Sequence, residues 1–431
     1  MTDTRARTAA LVVLALLLVA LVAIAAVSVP WRTLPPVPGG RTSVDPTADF
    51  TAAEIARENA FHRAVRPPAY LSLLIGLAIT LLLGFTPWGA KLVGWLARPL
   101  GGGWGWQVLL GALAVVVIGR LATLPFDVRA ESVLRSYGLS TQTWGSWTLD
   151  RLRSLGISLA VLLLVLYGLY GLVRVTPRWW WIPGAALGAL LVVVISFLYP
   201  VLIEPVFNKF TPMPPGELRS SLLELARRDG IAIEDVLVAD ASRRTTALNA
   251  YVSGIGSTRR IVVYDTALEQ LRPEEIRSVV AHELGHVKHH DVWFGTALGA
   301  VGAAATVCLL YLLLGNARVL SRAGVASLAD ARSVPLVLAL VAVLTTLGGP
   351  VQLVMSRRIE ARADVHALDL TRDPDTFIDM QRRLAVTNLS DLDPAPLIYV
   401  LFASHPTAPE RIALARDWEK LYQAEARVTG P

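Results

Sequence analysis

The amino-acid sequence predicts a mainly α-helical membrane protein with seven spans and a small α+β region formed by one polar loop and the C-terminal tail. Hydrophobic residues make up 54% of the 431 residues and charged residues only 17%, whereas soluble domains carry about 25% charged residues. The mean hydropathy is +0.51. The apolar residues are concentrated in blocks of roughly 20 residues, the length that crosses a bilayer. These observations exclude a disordered chain, a nucleic-acid-binding tail protein and an ordinary cytosolic enzyme.

Seven apolar blocks are long enough to span a membrane. They comprise residues 9–29, 69–85, 104–124, 155–173, 179–203, 292–314 and 334–355. The first block follows Arg5 and Arg7, as the core of a signal peptide would, but it exceeds the roughly 7 to 15 residues of such a core. We therefore expect an N-terminal membrane region, residues 1–203, with five spans. A second region, residues 204–431, includes the other two.

The distribution of charge predicts the orientation of the chain in the membrane and disfavours some classes of protein. Most of the Lys and Arg residues lie on the side of the C-terminus, which favours a cytoplasmic C-terminus. We interpret the net charge of +6 as membrane-topology charge and expect no nucleic-acid partner. The predicted spans carry almost no charged residues, which disfavours a transporter. The single cysteine, Cys308, excludes an intrachain disulfide and a cysteine metal cluster.

The polar loop after the fifth block shows helix and strand patterns in turn. Leucines at helical spacing predict a helix over residues 215–229. Three β-rich runs follow, at residues 236–239, 247–252 and 261–264. Pro273 and the two acids after it open a further helix that runs toward the sixth span. In the tail we predict helices over residues 356–370 and 409–426, and a Pro/Asp-rich linker over residues 391–396.

The helix that begins at Pro273 carries the sequence His282-Glu283-Leu284-Gly285-His286. Residues four apart share one face of a helix, so both imidazoles can reach one metal ion while Glu283 points toward a water on that ion. Zinc is the expected ion, because imidazole suits it and because it lowers the pKa of bound water to about 7. Glu283 would take the proton of that water and pass it to the leaving amine.

A catalytic zinc ion usually has three protein ligands, so a third residue is needed. Glu360 is the best candidate, and Asp364 lies one helical turn after it in the segment SRRIEARAD. One of the two carboxylates can bind the ion while the other accepts a hydrogen bond from a ligand imidazole. The alternative is a surface helix in which Arg357, Arg358 and Arg362 pair with the two acids.

Two further histidines follow the motif. We interpret His289 as a polar residue at the membrane boundary. His290, one turn after His286, fits either that role or a fourth metal ligand. A four-ligand site would be closed, as structural zinc sites are, and would indicate a non-catalytic membrane scaffold. The intact Glu283 disfavours the scaffold, because a structural site has no use for a general base.

Five separate stretches resemble the type I CAAX prenyl endopeptidase family of seven-span membrane zinc metalloproteases. They are residues 204–212 (EPVFNKFTP), residues 249–251 with the strand at 260–266, the HELGH helix, residues 356–364, and residues 404–406 followed by 410–412. Together with the spans, the resemblance covers residues 69–413. It implies that the second region contains a small α+β zincin-like, gluzincin-type metalloprotease domain.

The resemblance also implies a role for each residue of the metal site. His282, His286 and Glu360 would be the ligands of one zinc ion per chain. Glu283 would be the general base. Asp364 would lie next to the ligand residues and accept a hydrogen bond from one of them.

The family resemblance extends to residues that contact the substrate. It implies that His405 helps to stabilise the oxyanion of the reaction, although a histidine at a helix entry would also suit this position. Arg411 would lie in the active-site network, near the substrate. Asn249, Ala250 and Tyr251 would form an edge strand that pairs with an extended substrate backbone. An ordinary core hairpin is the alternative for these three residues.

We therefore expect a membrane-embedded zinc endopeptidase, similar to the CAAX prenyl proteases, that hydrolyses peptide bonds with metal-activated water. Its substrate would be a peptide or a membrane-protein segment, with or without a prenyl group, at the cytoplasmic face of the lipid bilayer. A heat-shock-type quality-control metalloprotease is the alternative enzyme, although those proteins have fewer spans. The excess of Arg over Lys, 36 to 4, indicates a GC-rich bacterial genome and hence the plasma membrane. We expect a monomer.

Overall fold

The computed structural model describes residues 4–429, and most of them are helical. The helices are α1 (Thr4–Ser28), α2 (Pro46–Asp49), α3 (Ala52–Phe85), α4 (Pro87–Ala97), α5 (Trp104–Ser136), α6 (Trp144–Val175), α7 (Trp181–Leu198), α8 (Glu204–Phe207), α9 (Glu217–Arg228), α10 (Asp265–Gln270), α11 (Pro273–Lys288), α12 (Asp291–Leu314), α13 (Ala317–Arg322), α14 (Val334–Thr371), α15 (Pro374–Asn388), α16 (Pro396–Phe402) and α17 (Ala408–Thr429). The predicted fold class, mainly α with a small sheet in the second region, is confirmed.

Seven helices among the described residues are long and apolar enough to cross a membrane, which confirms the predicted number of spans. They are α1, α3, α5, α6, α7, α12 and α14. Helix α7 continues through a π-helical turn, Tyr199–Ile203, into α8. Helices α3, α5 and α6 have 34, 33 and 32 residues, so they extend beyond the ~20 residues that a bilayer requires.

The seventh span and the predicted tail helix form one continuous helix, α14. Its 38 residues rise about 57 Å, nearly twice the ~30 Å thickness of the hydrocarbon layer. Its N-terminal part packs closely on α3, because a Cβ added to Gly84 would lie 2.2 Å from the Cβ of Ala339. Glu360 lies about 39 Å along the axis from Val334. The helix is therefore long enough to carry Glu360 out of the hydrocarbon layer.

The polar loop forms a four-stranded sheet in the order β1-β2-β4-β3. The strands are β1 (Phe210–Pro212), β2 (Asp235–Ala239), β3 (Ala250–Ser253) and β4 (Arg260–Tyr264). The two central strands are parallel, and β1 and β3 pair antiparallel on the outside. The three predicted strands are present, although β3 begins at Ala250 rather than at residue 247. The sequence did not predict β1, because three residues ending in proline show no alternation.

Helix α11 packs one apolar face against the sheet. Ile276, Val280 and Leu284 recur every four residues and share a buried cluster with Ile261 and Val263 of β4. Because one turn takes 3.6 residues, this spacing turns His282 and His286 to the opposite face of the helix. The hydrophobic core thereby fixes the direction of both imidazoles.

Three parts of the second region differ from the predictions. Helix α11 does not run into the sixth span: it ends at Lys288, and His290 adopts a left-handed conformation with φ 60° before α12 begins. Helices α15 and α16 were not predicted. Both begin with a proline at the first helical position, and the sequence analysis assigned the second of these prolines to a linker instead.

The segment between the first two spans lies along the last helix. The backbone N–H and the hydroxyl of Thr42 donate to Oδ1 of Asp417 at 2.7 and 2.6 Å. Arg416 forms an ion pair with Asp49, and Phe50 is buried beside Ile412. This segment, which shows no motif in sequence, therefore braces α17.

The crossing of α11 and α14 depends on Gly285 in the HELGH motif. A Cβ at this position would lie 3.1 Å from Cβ of His366 and 3.2 Å from Cα of Ala363, so the two helices would have to move apart. We expect Gly285→Ala to lower the free energy of unfolding by about 1–3 kcal/mol through overpacking. Thermal unfolding of the detergent-solubilised protein measures this loss.

Gly295→Ala in α12 is the matched control, since a Cβ there would meet no atom within 4 Å. This control should keep or slightly raise the stability, because alanine favours a helix by up to about 1 kcal/mol over glycine. Equal unfolding midpoints for the two variants would contradict the close approach.

Candidate metal centre

The two histidines of α11 and Glu360 of α14 converge on one point. His282 Nε2 lies 3.2 Å from His286 Nε2 and 3.1 Å from Oε2 of Glu360. His286 Nε2 lies 3.7 Å from Oε1 of Glu360. Ligand atoms about 2.0–2.2 Å from a tetrahedral ion lie about 3.3–3.6 Å from one another. The three separations therefore match the donor set of a single zinc-sized ion.

Each imidazole presents its Nε2 to this point because its other nitrogen bonds a carboxylate. His282 Nδ1 lies 2.9 Å from Oδ1 of Asp364, and His286 Nδ1 lies 2.9 Å from Oδ2 of Asp291. A hydrogen bond from Nδ1–H to a carboxylate leaves the lone pair on Nε2, which is the form that binds metals. Both carboxylates therefore orient potential ligands.

Asp291 is a residue of this site that the sequence analysis missed. It is the first residue of α12, and its carboxylate bonds both His286 and Arg362. Arg362 also donates to the backbone carbonyl of Ser28, at 2.9 Å. The signal in sequence was an acid five residues after His286, but the predicted continuous helix would have turned it away from the site.

We expect Asp291→Ala to weaken metal binding by about 10- to 100-fold, the usual cost of removing a carboxylate behind a histidine ligand. Asp291→Asn keeps an oxygen that can accept from Nδ1–H, so it should recover part of the affinity. Metal dissociation constants measured by competition with a chelator check both values. If Asp291→Ala and the unaltered protein bound metal equally, Asp291 would have no orienting role.

Arg411 forms an ion pair with Asp364, as Arg362 does with Asp291. Its guanidinium donates to both oxygens of Asp364, and the distance from Nε to Oδ2 is 2.8 Å. Its Nη2 lies 3.3 Å from Nδ1 of His282. Burial lowers the pKa of His282, but the carboxylates of Asp364 and Glu360 outweigh burial and raise it to about 10. The negative charge of the site thus favours a bound cation.

Glu283 lies between the two histidines in sequence and next to them in space. Burial raises the pKa of its carboxyl group, and the neighbouring imidazoles of His282 and His286 oppose that rise. A carboxyl group with a raised pKa exchanges a proton more readily near neutral pH than an exposed one does. Glu283 therefore has the electrostatic setting of a general base.

His405 approaches the same carboxylate from the tail. Its Nε2 lies 3.4 Å from Oε2 of Glu360, and its Nδ1 lies 2.8 Å from the hydroxyl of Ser404. Arg357, buried one turn before Glu360, donates to the carbonyls of Tyr399 and Ala403. Arg357 therefore holds the loop that carries His405, whereas the alternative of a surface helix had Arg357 pair with Glu360 or Asp364.

A cavity of about 550 Å³ lies beside the metal centre. Its wall includes Asn249, His405 and Arg411, together with His62 and Arg66 of α3. The cavity is polar on several sides and large enough for a few residues of a peptide. It places the predicted substrate residues Asn249 and Arg411 on one surface.

The other two residues of the predicted substrate strand take different positions. Ala250 is buried, with 2% exposure. The hydroxyl of Tyr251 lies 3.5 Å from Oε2 of Glu204. Both belong to β3, which is an edge strand of the sheet and packs beside α11.

The structure places His289 and His290 outside the metal-binding group. The ring of His289 packs edge-on against His366. His290 is exposed, and its Nδ1 lies 3.2 Å from the carbonyl of Val287. Among the described residues, the group around α11 that could hold an ion consists of His282, His286 and Glu360. The geometry therefore gives a three-ligand set, as catalytic zinc sites have.

Two family models match the chain. Residues 49–209 match the CAAX prenyl protease N-terminal region, described as five membrane helices. Residues 212–419 match peptidase family M48.

Several proteins of known name are similar in sequence. The uncharacterized metalloprotease YhfN of Bacillus subtilis is 34% identical over 70% of this chain and 72% of its own length. The CAAX prenyl protease 1 homolog of Arabidopsis thaliana is 30% identical over 80% and 82% of the two chains. CAAX prenyl protease 1 of Saccharomyces cerevisiae is 28% identical over 78% of this chain and 76% of its own length. The crystal structure of S. mikatae Ste24p has the same fold, with a TM-score of 0.77 and 22% sequence identity. The match covers 94% of this chain and 98% of the Ste24p chain.

Proposed function

The chain belongs to peptidase family M48 and is a membrane-embedded metallopeptidase of the CAAX prenyl protease type, and we propose that His282, His286 and Glu360 hold its metal, a zinc ion. The supporting observation is that two Nε2 atoms and one carboxylate converge at ligand separations. We also propose residues 204–431 as the metalloprotease region and residues 1–203 as the membrane region.

Zinc bound by these residues would supply Lewis acidity to a water molecule and to the scissile carbonyl group. Glu283 would take the proton of the attacking water and return it to the amine that leaves. Its raised pKa supports this exchange. Asp364 and Asp291 accept hydrogen bonds from Nδ1 of the two histidines, which would leave both Nε2 lone pairs free to hold the ion.

His405 and Arg411 supply positive or hydrogen-bonding groups to the reacting carbonyl. We propose that His405 donates to the developing oxyanion, because its imidazole lies next to Glu360 on the cavity side. Arg411 lies at the cavity wall and donates to Asp364 through Nε and Nη2. It fixes Asp364 and directs positive charge toward substrate.

The proposed substrate is an extended peptide segment at the membrane surface. The edge strand β3 would pair with its backbone, with Asn249 at the cavity and Ala250 and Tyr251 within the strand. Main-chain pairing fixes the register of a substrate without selecting its side chains. The same backbone contact therefore suits a soluble peptide and a segment of a membrane protein.

We propose that a prenyl group is not required and that the enzyme is a monomer in a bacterial plasma membrane with its active site toward the cytoplasm. The similar Bacillus protein is named only as a metalloprotease, and the Arg-rich, Lys-poor composition is typical of GC-rich bacteria. The concentration of basic residues on the C-terminal side supports the orientation. A heat-shock-type quality-control role is the second candidate.

A matched peptide pair tests the substrate proposal. Purified protein loaded with zinc is incubated with one peptide in farnesylated and unprenylated forms, and mass spectrometry locates the products. We expect internal cleavage of both forms. Cleavage of the farnesylated form alone would overturn the proposal in favour of a strict prenyl protease. Cleavage of neither form would contradict the proposed substrate class.

A further inference from the structure

A second cluster of metal-ligating side chains lies outside the three-ligand group, on α3 and in the loop after α15. Glu58 and His62 are one turn apart on α3, and Asp391 lies in the loop after α15. One ligand atom from each lies within 4.8 Å of the others. His62 Nε2 is 3.2 Å from Oε1 of Glu58 and 3.0 Å from the carbonyl oxygen of Leu389. One imidazole nitrogen and two carboxylate oxygens therefore lie close together, and a carbonyl oxygen lies next to the nitrogen.

The carboxylate of Glu58 is an independent sign of a ligand. Glu58 is only 4% exposed, and its Oε1 is a buried atom that accepts no hydrogen bond. A buried carboxylate oxygen needs a cation or a donor to offset the loss of water.

The charges around the cluster fit a divalent cation. Glu58 and Asp391 contribute two carboxylates, and Arg66, which pairs with Oδ2 of Asp391, contributes one positive charge. Leu389 has a left-handed backbone, with φ 49°, which is uncommon for a leucine. This conformation brings its carbonyl toward His62.

We propose that Glu58, His62 and Asp391, with the carbonyl of Leu389, form a second zinc-class metal site, separate from the catalytic centre. An imidazole and two carboxylates are a donor set that zinc accepts. The ion joins the start of the second span to the loop that follows α15. Asn388 in that region bonds the backbone N–H and carbonyl of Leu248, next to Asn249 in the cavity wall. The site therefore clamps the membrane region to the substrate side of the metalloprotease region.

Metal stoichiometry tests this proposal. The full-length protein in detergent is stripped with a chelator, dialysed against zinc chloride and analysed by mass spectrometry for zinc per chain. We expect two zinc ions in the unaltered protein. Glu58→Gln, His62→Gln and Asp391→Asn should each hold one, with at least a tenfold loss of affinity at the second site. The retained catalytic ion shows that each variant is folded.

Two controls separate the sites. Asp393→Asn changes an exposed acid two residues from Asp391 and should keep two ions. The double variant His282→Ala/His286→Ala should keep the ion at Glu58, so a failure of the catalytic assignment does not affect this result. One zinc ion in the unaltered protein, or equal loss in Asp393→Asn and Asp391→Asn, would overturn the second site. In that case the His62 ring, 3.2 Å from Oε1 of Glu58, would be the partner of this carboxylate instead of an ion.

Discussion

Replacing Glu283 with glutamine should lower the rate of peptide hydrolysis by about 10² to 10⁴, the contribution of a positioned general base. Glutamine has nearly the same shape but cannot accept the proton of the attacking water. The zinc content should not change, because Glu283 is not among the three converging ligand residues. Hydrolysis of an unprenylated peptide, measured with metal analysis of the same preparation, gives both values.

Glu274→Gln is the matched control for this experiment. Glu274 lies on the same helix, in its exposed first turn, so the change removes the same charge at a distance from the site. We expect this variant to retain the activity of the unaltered protein. Equal activity of Glu283→Gln and Glu274→Gln would exclude Glu283 as the base.

The spans and the central motif could be predicted because each depends on local sequence. A bilayer requires about 20 apolar residues in a row, and the α-helix satisfies all backbone hydrogen bonds within itself. The spacing of His282 and His286 likewise fixes a shared helix face. Neither property needs a distant part of the chain. The number of spans and the position of the metal-binding face could therefore be predicted from the sequence.

The polar partners of the site could be predicted only in part because they depend on packing between distant segments. Glu360 and Asp364 were candidates because one helical turn separates them. Asp291 was missed because it reaches His286 only after the chain breaks at His290, with φ 60°. Arg362, considered as a partner of the nearby acids, instead bonds Asp291 and Ser28. These pairings join segments that sequence spacing does not relate.

The short elements of the second region were missed for a similar reason. Helix α16 has seven residues and begins at a proline within a Pro/Asp-rich stretch. Strand β1 has three residues and takes its register from β2. Their local signals are weak, and tertiary contacts determine their conformation. They nevertheless position the site, because the loop after α16 carries His405.

Replacing Glu360 with glutamine should remove one zinc ion per chain and abolish hydrolysis of the unprenylated peptide. The carboxylate faces both Nε2 atoms, and a neutral amide is a far poorer ligand for zinc. We expect at least a 100-fold loss of zinc affinity, beyond the 10- to 100-fold cost of losing an orienting carboxylate. Zinc per chain, chelator competition and peptide hydrolysis are measured on one preparation.

Arg358→Gln, an exposed change of charge on the same helix, should leave all three values unaltered. Full zinc content in Glu360→Gln would show that the third ligand is another residue.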